Sequence, residues 1–461
     1  MSNWKIFLIV YFSIVFVSVY GQNRKLQQFA TALNEGRYFE SKELYREICN
    51  VLDFDEDLYY KYRMYAFMNK KDSVAVCLEK MLEDYPEFIG NDAIAIYIEL
   101  FNIYIELKDY EKGVYTYRRI SEHLKDNPYD ISKEDIGILK KNTEESFIYF
   151  KQILNEPPIK LRRKETESAL KIESDELLRF EATFNGISHK TLFDTGVNTY
   201  CIMSKICADK MGVKYNRGEV RSESVNQTHM PVARVLMDSI VIGNITLYNL
   251  PVKIYDYDIN QCLSDSIKND SIRMKRLEAG KNVLSAPIIG LPTMCLIGKL
   301  LIDYEKNNIF FPPRSINFDI FNEPNIFFFH NSLYTQITLN GVNFTGYLDT
   351  GCGDYIEIDS MFYHKYKNDI PIVNSVEKEP YNIAMLHRAW INIPYQTSGK
   401  LAITFNKKPI ESAPDRPIRI YAMQSIWPTE LLDGAIGYDF FKKIGRKVLL
   451  DLDNMRLEAI E

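Results

Sequence analysis

The sequence predicts a multi-domain α+β protein: an N-terminal α-helical repeat domain, then two mostly-β lobes that form a bilobal unit. Three observations predict it. From Gln22 to about Leu154 apolar residues recur at three- and four-residue spacing, the period of amphipathic helices. From about Leu177 the period becomes two, the pattern of half-buried strands. The strand region also carries one motif twice: an alternating strand, an Asn-Gly turn, a second strand and an Asp-Thr-Gly tripeptide. The first copy runs from Arg179 through Asn185-Gly186 to Leu192-Phe193-Asp194-Thr195-Gly196. The second runs from Leu333 through Asn340-Gly341 to Tyr347-Leu348-Asp349-Thr350-Gly351. Asn185 and Asn340 stand 155 positions apart, and so do Asp194 and Asp349. A single Asp-Thr-Gly arises by chance in roughly one chain in ten of this length, and alone it reads as a turn. Hairpin and tripeptide in one register make a duplicated unit that supplies two carboxylates.

The chain has 461 residues, 46% apolar and 26% charged, the composition of a globular protein of several domains. Net charge is −6. The one dense basic run, Lys160-Leu161-Arg162-Arg163-Lys164, is followed by Glu165 and Glu167 and reads as a solvated linker. No nucleic-acid partner is expected. Behind Lys5, residues Ile6 to Tyr20 form an uncharged, almost wholly apolar run that ends at Gly21. That arrangement predicts a signal peptide over residues 1–21 and an exported protein, periplasmic or extracellular. The alternative is an uncleaved anchor, for which fifteen residues are short against the ~20 of a membrane span. A membrane enters only in that case. The seven cysteines match no metal pattern and read mostly as small buried apolar residues.

Residues 22–155 contain an internal repeat. Ala32 to Tyr38, continuing through Leu44 to Ile48, matches Ala66 to Asp72 through Leu78 to Leu82 at an offset of 34. A looser third copy begins near Tyr104. With Pro86 closing a unit, this period resembles tetratricopeptide repeats. The resemblance implies stacked helix pairs with a concave face that takes a protein partner; a helical spacer is the alternative. Tyr59, Tyr60, Tyr62 and Tyr65 read as inter-helix packing. Pro157-Pro158 ends the helical region, and residues 156–176 are expected as linker.

Residues 177–314 form the first β lobe and 315–461 the second. After the first tripeptide a short helix follows, with Ser204 to cap its start and Gly212 its end. A strand pair then turns at Gly243-Asn244. Near each lobe's end stands an apolar-apolar-Gly segment, Ile288-Ile289-Gly290 and Ala435-Ile436-Gly437. Eight residues on, each reaches a second glycine, Gly298 and Gly445, and then a strand hairpin. The polar stretch from Asn260 to Lys281 has no usable period.

At these residues the chain resembles aspartic peptidases, and more narrowly the retropepsin-like exported peptidases of bacteria with both lobes in one chain. The resemblance covers about Leu177 to the C-terminus. It implies that each Asp-Thr-Gly loop sits at the lobe interface with the glycine strand packed against it. Asp194 and Asp349 would then be the catalytic dyad. Thr195 and Thr350 would lock the loops together, while Gly196 and Gly351 would donate N–H groups to the carboxylates. Two neighbouring carboxylates share a proton; one takes a proton from water and the other donates to the scissile carbonyl. The implied partner is a peptide or protein substrate. After the glycine the family has Ala or Ser and then Ser or Asp, where this chain has Val197-Asn198 and Cys352-Gly353. Asn198 is a candidate for the network-holding role, which Gly353 cannot fill. Flap hairpins are expected at Ser222–Pro231 and Lys378–Trp390. These departures support an alternative, a catalytically weak or inactive peptide-binding protein of the same fold. The six histidines are scattered, with no His-Glu-x-x-His helix, no Cys-x-x-Cys and no Gly-x-Ser-x-Gly elbow. No cofactor and no metal are expected. His189 reads as a strand surface residue, and Asp303 and Asp451 as hairpin residues.

Overall fold

The structure is a computed structural model that describes residues 24–126, 131–165, 168–173, 176–214, 221–225, 228–255, 286–316, 318, 323–381, 393–410, 418–421 and 433–460. The expected signal peptide and the Asn260–Lys281 stretch lie outside the described residues. Two compact units divide at Pro157/Pro158.

The first unit is helical. Its longer helices are α1 (Arg24–Asn34), α2 (Tyr38–Ile48), α3 (Phe54–Phe67), α4 (Lys71–Asp84), α5 (Ala93–Leu107), α6 (Tyr110–Asp126) and α7 (Lys133–Leu154). They pack as consecutive pairs, α1 with α2, α3 with α4, α5 with α6. Local chemistry starts the helices: Asp53 and Glu56 form a capping box on α3, and the Ser132 hydroxyl accepts the Asp135 N–H at the start of α7. The tyrosines do pack between helices. Tyr59 donates to Asn34 Oδ1 at 3.0 Å, Tyr62 to Glu99 Oε2 at 2.7 Å, and Tyr60 stacks on Tyr45 at 3.7 Å. None of the described helices is long and apolar enough to cross a membrane.

The second unit begins earlier than the expected linker boundary. Strand β1 (Lys160–Arg163) and strand β2 (Leu170–Lys171) already belong to its sheets. The basic run read as solvated linker is thus an edge strand, paired with residues 245–248, and Arg163 donates to the carbonyls of Phe311 and Ile297. Edge strands accept charged residues readily, so charge density alone misled the reading.

The first lobe continues with β3 (Arg179–Phe184), β4 (Ile187–Asp194), β5 (Cys201–Ser204), α8 (Lys205–Lys210), β6 (Arg221–Val225), β7 (Thr228–Met237), β8 (Ile240–Ile242), β9 (Ile245–Tyr248), β10 (Leu250–Tyr255), β11 (Ile288–Gly290), α9 (Leu291–Ile297), β12 (Lys299–Asp303) and β13 (Asn308–Phe310). The second has β14 (Ile326–Phe329), β15 (Ser332–Leu339), β16 (Val342–Asp349), β17 (Ile356–Ile358), α10 (Ser360–Lys365), β18 (Ile372–Tyr381), β19 (Ile393–Ser398), β20 (Ile403–Phe405), β21 (Lys408–Ile410), β22 (Arg419–Tyr421), β23 (Gly434–Gly437), α11 (Tyr438–Ile444), β24 (Lys447–Asp451) and β25 (Arg456–Ala459).

Nine strands of the two lobe sheets match in order, β1 being the extra strand of the first. In order they read β6-β7-β10-β5-β11-β4-β3-β8-β9-β1 and β18-β19-β22-β17-β23-β16-β15-β20-β21, with β14 added on β15. Each Asn-Gly turn has two positive φ values, 46° and 87° in the first copy and 49° and 84° in the second. That is the type I′ geometry, which favours Asn-Gly. Each turn Asn also binds the same neighbouring segment: Asn185 Oδ1 accepts from Ser239 N–H and Asn340 Oδ1 from Ala402 N–H. The hairpins β6–β7 and β18–β19 occupy matching sheet edges. The first expected flap falls on the first hairpin, and Lys378–Tyr381 of the second lies on β18; residues 382–390 lie outside the described residues.

A third sheet, β2-β13-β12-β24-β25, joins the lobes. At its centre β12 pairs antiparallel with β24, Leu301 opposite Leu449. Lys299, buried in this sheet, donates to the carbonyls of Arg314 and Ile316 at 2.9 and 2.6 Å and faces Asp451 at 3.7 Å. A buried lysine is tolerated because these acceptors replace water. Asp303 and Asp451 cap their hairpins by accepting N–H groups of Lys306 and of Asp453 and Asn454.

Candidate active site

Both Asp-Thr-Gly loops leave the ends of central strands. Strand β11 inserts between β4 (parallel) and β5 (antiparallel), with Gly290 opposite Asp194. Strand β23 does the same between β16 and β17, with Gly437 opposite Asp349. A strand covered on both sides and faces needs a continuous apolar run, hence Leu192-Phe193 and Tyr347-Leu348 before the aspartates. The glycines are needed for close approach. A Cβ on Gly290 would stand 2.1 Å from the Thr199 carbonyl oxygen, and one on Gly437 would stand 2.1 Å from that of Asp354. Gly290 and Gly437 donate their N–H groups to Tyr200 and Tyr355 at 3.0 and 3.2 Å, equivalent residues of the two copies.

The loops meet within the bilobal unit. Thr195 Oγ1 donates to the Leu348 carbonyl at 2.7 Å, and Thr350 Oγ1 to the Phe193 carbonyl at 3.0 Å. Each hydroxyl also accepts the other threonine's N–H at 3.0 Å. Both threonines are buried. Gly196 N–H donates to Asp194 Oδ1 at 2.7 Å and Gly351 N–H to Asp349 Oδ1 at 2.9 Å. Asp194 Oδ1 and Asp349 Oδ1 each lie 2.9 Å from the point where a Cβ on Gly196 would stand, so the two carboxyl groups sit side by side. A Cβ on Gly351 would stand 2.3 Å from Asp194 Oδ2, so only glycine admits this packing. All six residues singled out in the sequence, Asp194, Thr195, Gly196, Asp349, Thr350 and Gly351, therefore lie at one place.

Burial is the first cause that lifts both carboxyls above the ordinary carboxylate range. For Asp349 the charge of Asp194 adds to it and carries the group well above that range. The hydrogen bond from Asp349 and the N–H groups of Gly196 and Gly351 partly offset burial for Asp194. The pair thus retains one proton where isolated aspartates would have lost both, and the titration belongs to the pair.

Residues after the tripeptides differ between copies. Asn198 is exposed, so the role considered for it is taken instead by the backbone N–H groups. In the second loop Cys352 Sγ lies 4.0 Å from Asp354 Oδ2 and 3.8 Å from Glu357 Oε1. Arg419 of β22 pairs with Asp354. Burial, then the carboxylates of Glu357, Asp354 and Asp349, push the Cys352 thiol well above its usual value. Cys352, Asp354 and Glu357 are the one group of potential metal ligands among the described residues, with ligand atoms within 4.8 Å of one another. Arg419 already supplies a cation to this group. Sequence reading passed over Asp354, Glu357 and Arg419. The first copy has Thr199 and Ile202 at the positions of Asp354 and Glu357, so comparing the copies residue by residue would have exposed them. His189 stays on its strand, and the six described cysteines are free thiols, with Cys77, Cys201 and Cys207 buried.

Two β lobes each give one Asp-Thr-Gly loop to a shared site. Comparison with known families bears on the first lobe: the family model described as "Aspartyl protease" matches residues 180–290. That span runs from β3 to β11 and holds Asp194 and Gly290. Among solved structures, a retropepsin-like aspartic protease from Rickettsia conorii is 16% identical, with 33% of this chain and 91% of that chain covered and a TM-score of 0.22. The retroviral protease-like domain of Ddi1 from Leishmania major is 16% identical, with 33% and 100% covered and a TM-score of 0.15. No curated protein gives a significant sequence match.

Proposed function

We propose that the chain is a retropepsin-like aspartic endopeptidase, complete in one chain, with Asp194 and Asp349 as its catalytic dyad. The observation that carries this reading is the reciprocal threonine lock, which holds the two Asp-Thr-Gly loops, and so their carboxylates, side by side. In this reading one carboxylate is ionised and removes a proton from water. The other is protonated and donates to the carbonyl oxygen of the scissile amide, so that water attacks directly. The shared proton that this chemistry requires agrees with the raised titration of the pair. An extended peptide would lie across the loops under the hairpins β6–β7 and β18–β19, bonding strand-like along its backbone. The family match covers residues 180–290 of the first lobe; the second lobe's equivalent strand order, turns and glycines support reading it as the other half of the same site. Export through the N-terminal apolar run, and docking of a protein partner on the tetratricopeptide-like helix pairs, complete the proposal.

The test is hydrolysis of a peptide library by the full chain at acid to neutral pH, followed by mass spectrometry. Asp194→Asn and Asp349→Asn are each expected to lower turnover by at least ~10²–10⁴-fold, the contribution of a general acid or base. Full activity in either folded variant would rule out a shared dyad.

A further inference from the structure

The two copies agree so closely that their differences carry information. Beside Asp194, Leu192, Ile202, Tyr255 and Ile288 form an apolar cluster, and the partly buried Leu177 and Val197 pack on it. The cluster shares the face of the aspartate. Leu192 stands two residues before Asp194, so strand periodicity puts both on one side. Ile288 pairs with Leu192 and with Ile202, which continues the row across the sheet. The carboxyl groups meet between the lobes, so the face that carries them is a wall of the space a bound peptide crosses. At the offset of 155 that relates the copies, the second lobe has Tyr347 for Leu192, Cys352 for Val197 and Glu357 for Ile202. Ala435 pairs with Tyr347 and Glu357, as Ile288 does with their counterparts. Arg419 pairs with Glu357 and extends the row outward. Cys352 Sγ lies 3.8 Å from Glu357 Oε1, and the Arg419 guanidinium binds Asp354. An apolar wall in one lobe is therefore a polar, acidic wall at the same place in the other. Glu357, 1% exposed, forms its floor, while the side chains of Asp354 and Arg419, 15% and 19% exposed, stand at its rim.

We propose that the second lobe's wall is a specificity pocket for a basic side chain of the peptide, lysine or arginine, while the first lobe's cluster takes an apolar one. The preferred substrate then carries an apolar residue on one side of the scissile bond and a basic residue on the other. As a statement about cleavage this rests on the peptidase reading; as a statement about peptide binding it does not. Two features select a cation. Among the described residues the wall sets two carboxylates, Asp354 and Glu357, against one guanidinium, so negative charge is in excess. An acidic guest would need Arg419, which Asp354 already engages. The shape of the row agrees. Its inner part, Tyr347 and Ala435, suits the apolar stem of a long basic side chain, whose charged tip then reaches the acids. Charges screened from water attract more strongly than in solution, so the choice of residue is sharp.

The experiment measures kcat/KM of the full chain on octapeptides with leucine on one side of the scissile bond and lysine, leucine or glutamate on the other, in both orders. The same peptides with a reduced, uncleavable bond at that position are titrated for binding in parallel. In one of the two orders the lysine peptide is expected to exceed the leucine and glutamate peptides by about 10–100-fold, the worth of a hydrogen bond to a charged group. Glu357→Ile, which installs the first copy's residue, is expected to turn that preference toward leucine. Glu357→Gln keeps the shape, removes the charge and is expected to cancel most of the preference; it serves if the Ile variant does not fold. Preference for leucine or glutamate in both orders, or an unchanged lysine preference in a folded Glu357 variant, would overturn the proposal. Lysine-selective binding without cleavage would sink the peptidase reading and leave the pocket standing. Cleavage without lysine selectivity would do the reverse, and neither binding nor cleavage would sink both.

Discussion

The reciprocal threonine lock can be broken one hydroxyl at a time, and its cost follows from what is left behind. Thr350→Val keeps volume and branching but removes the donor to Phe193 O and the acceptor of Thr195 N–H. Both orphaned groups are buried at the loop interface, and water has no ready access to them. Each lost bond costs about 0.5–1.5 kcal/mol, and stranding a buried group costs about 1–3 kcal/mol. Since both backbone groups are affected, a loss of about 2–4 kcal/mol is expected for Thr350→Val, and the same for Thr195→Val. Thr195→Val removes the other two bonds of the lock, to Leu348 O and from Thr350 N–H. The two residues are in contact, however, and the loops can relax once around both changes, so the double variant should cost less than the sum by ~0.5–3 kcal/mol. Tryptophan fluorescence in urea reads this out selectively. Residues 22–157 contain no tryptophan, while Trp390 and Trp427 belong to the second unit. Single variants within 0.5 kcal/mol of the parent, or strictly additive ones, would refute the coupled lock.

The carboxyl pair makes a linked prediction. Groups whose folded titration is raised stabilise the fold below the unfolded carboxylate range, and that stability is lost as pH rises through the folded value. The parent's urea midpoint in the second unit is thus expected to fall as pH rises above the ordinary carboxylate range, and Asp349→Asn should remove much of that fall. A variant with the parent's pH slope would contradict it. Gly437→Ala forces a Cβ to 2.1 Å from the Asp354 carbonyl oxygen; backbone cannot yield as a side chain can, so a loss of about 3 kcal/mol or more is expected, seen as insoluble chain or a collapsed midpoint. Arg419→Met breaks the pair with Asp354. That pair is partly exposed, so the expected cost is about 1–3 kcal/mol, below that of a fully buried pair; proteolysis of the loop or a urea midpoint would measure it.

Much of the lobe architecture was legible because it is written twice. Asn185-Gly186 and Asn340-Gly341 announce hairpins through backbone chemistry that few other residue pairs satisfy. The apolar-apolar-Gly segments were legible because a two-sided strand and a close backbone approach each restrict residue type. What stayed hidden depended on long-range pairing. Strand β1 looked like linker since its partners, Ile245 to Tyr248, lie some eighty residues away and charge dominates its composition. Arg419 was invisible for the same reason: only the parallel pairing of β22 with β17 brings it opposite Glu357 and beside Asp354. Asn198 was weighed by residue type alone, and its exposure is decided by the path of the loop.

Duplication also fixes how the asymmetry of the site should be read. Where the copies agree, at the Asn-Gly turns, the threonine lock and Gly290 with Gly437, the features build two matching halves. At three positions around the aspartate the second lobe holds the more polar group: Tyr347 where the first has Leu192, Asp354 where it has Thr199, and Glu357 where it has Ile202, while Asn198 against Gly353 runs the other way. Register extends this outward: Arg419 stands opposite Glu357 as Lys253 stands opposite Ile202. The polar additions are therefore concentrated behind and beside Asp349, not Asp194. A dyad built from identical halves would divide its proton evenly. Here the raised titration of Asp349, caused by its burial and then by the charge of Asp194, lies in the lobe that also carries the extra acids, thiol and phenol. Exchanging the disagreeing residues between copies, pair by pair, should move the proton's preference stepwise, whereas exchanging agreeing residues should leave it unchanged.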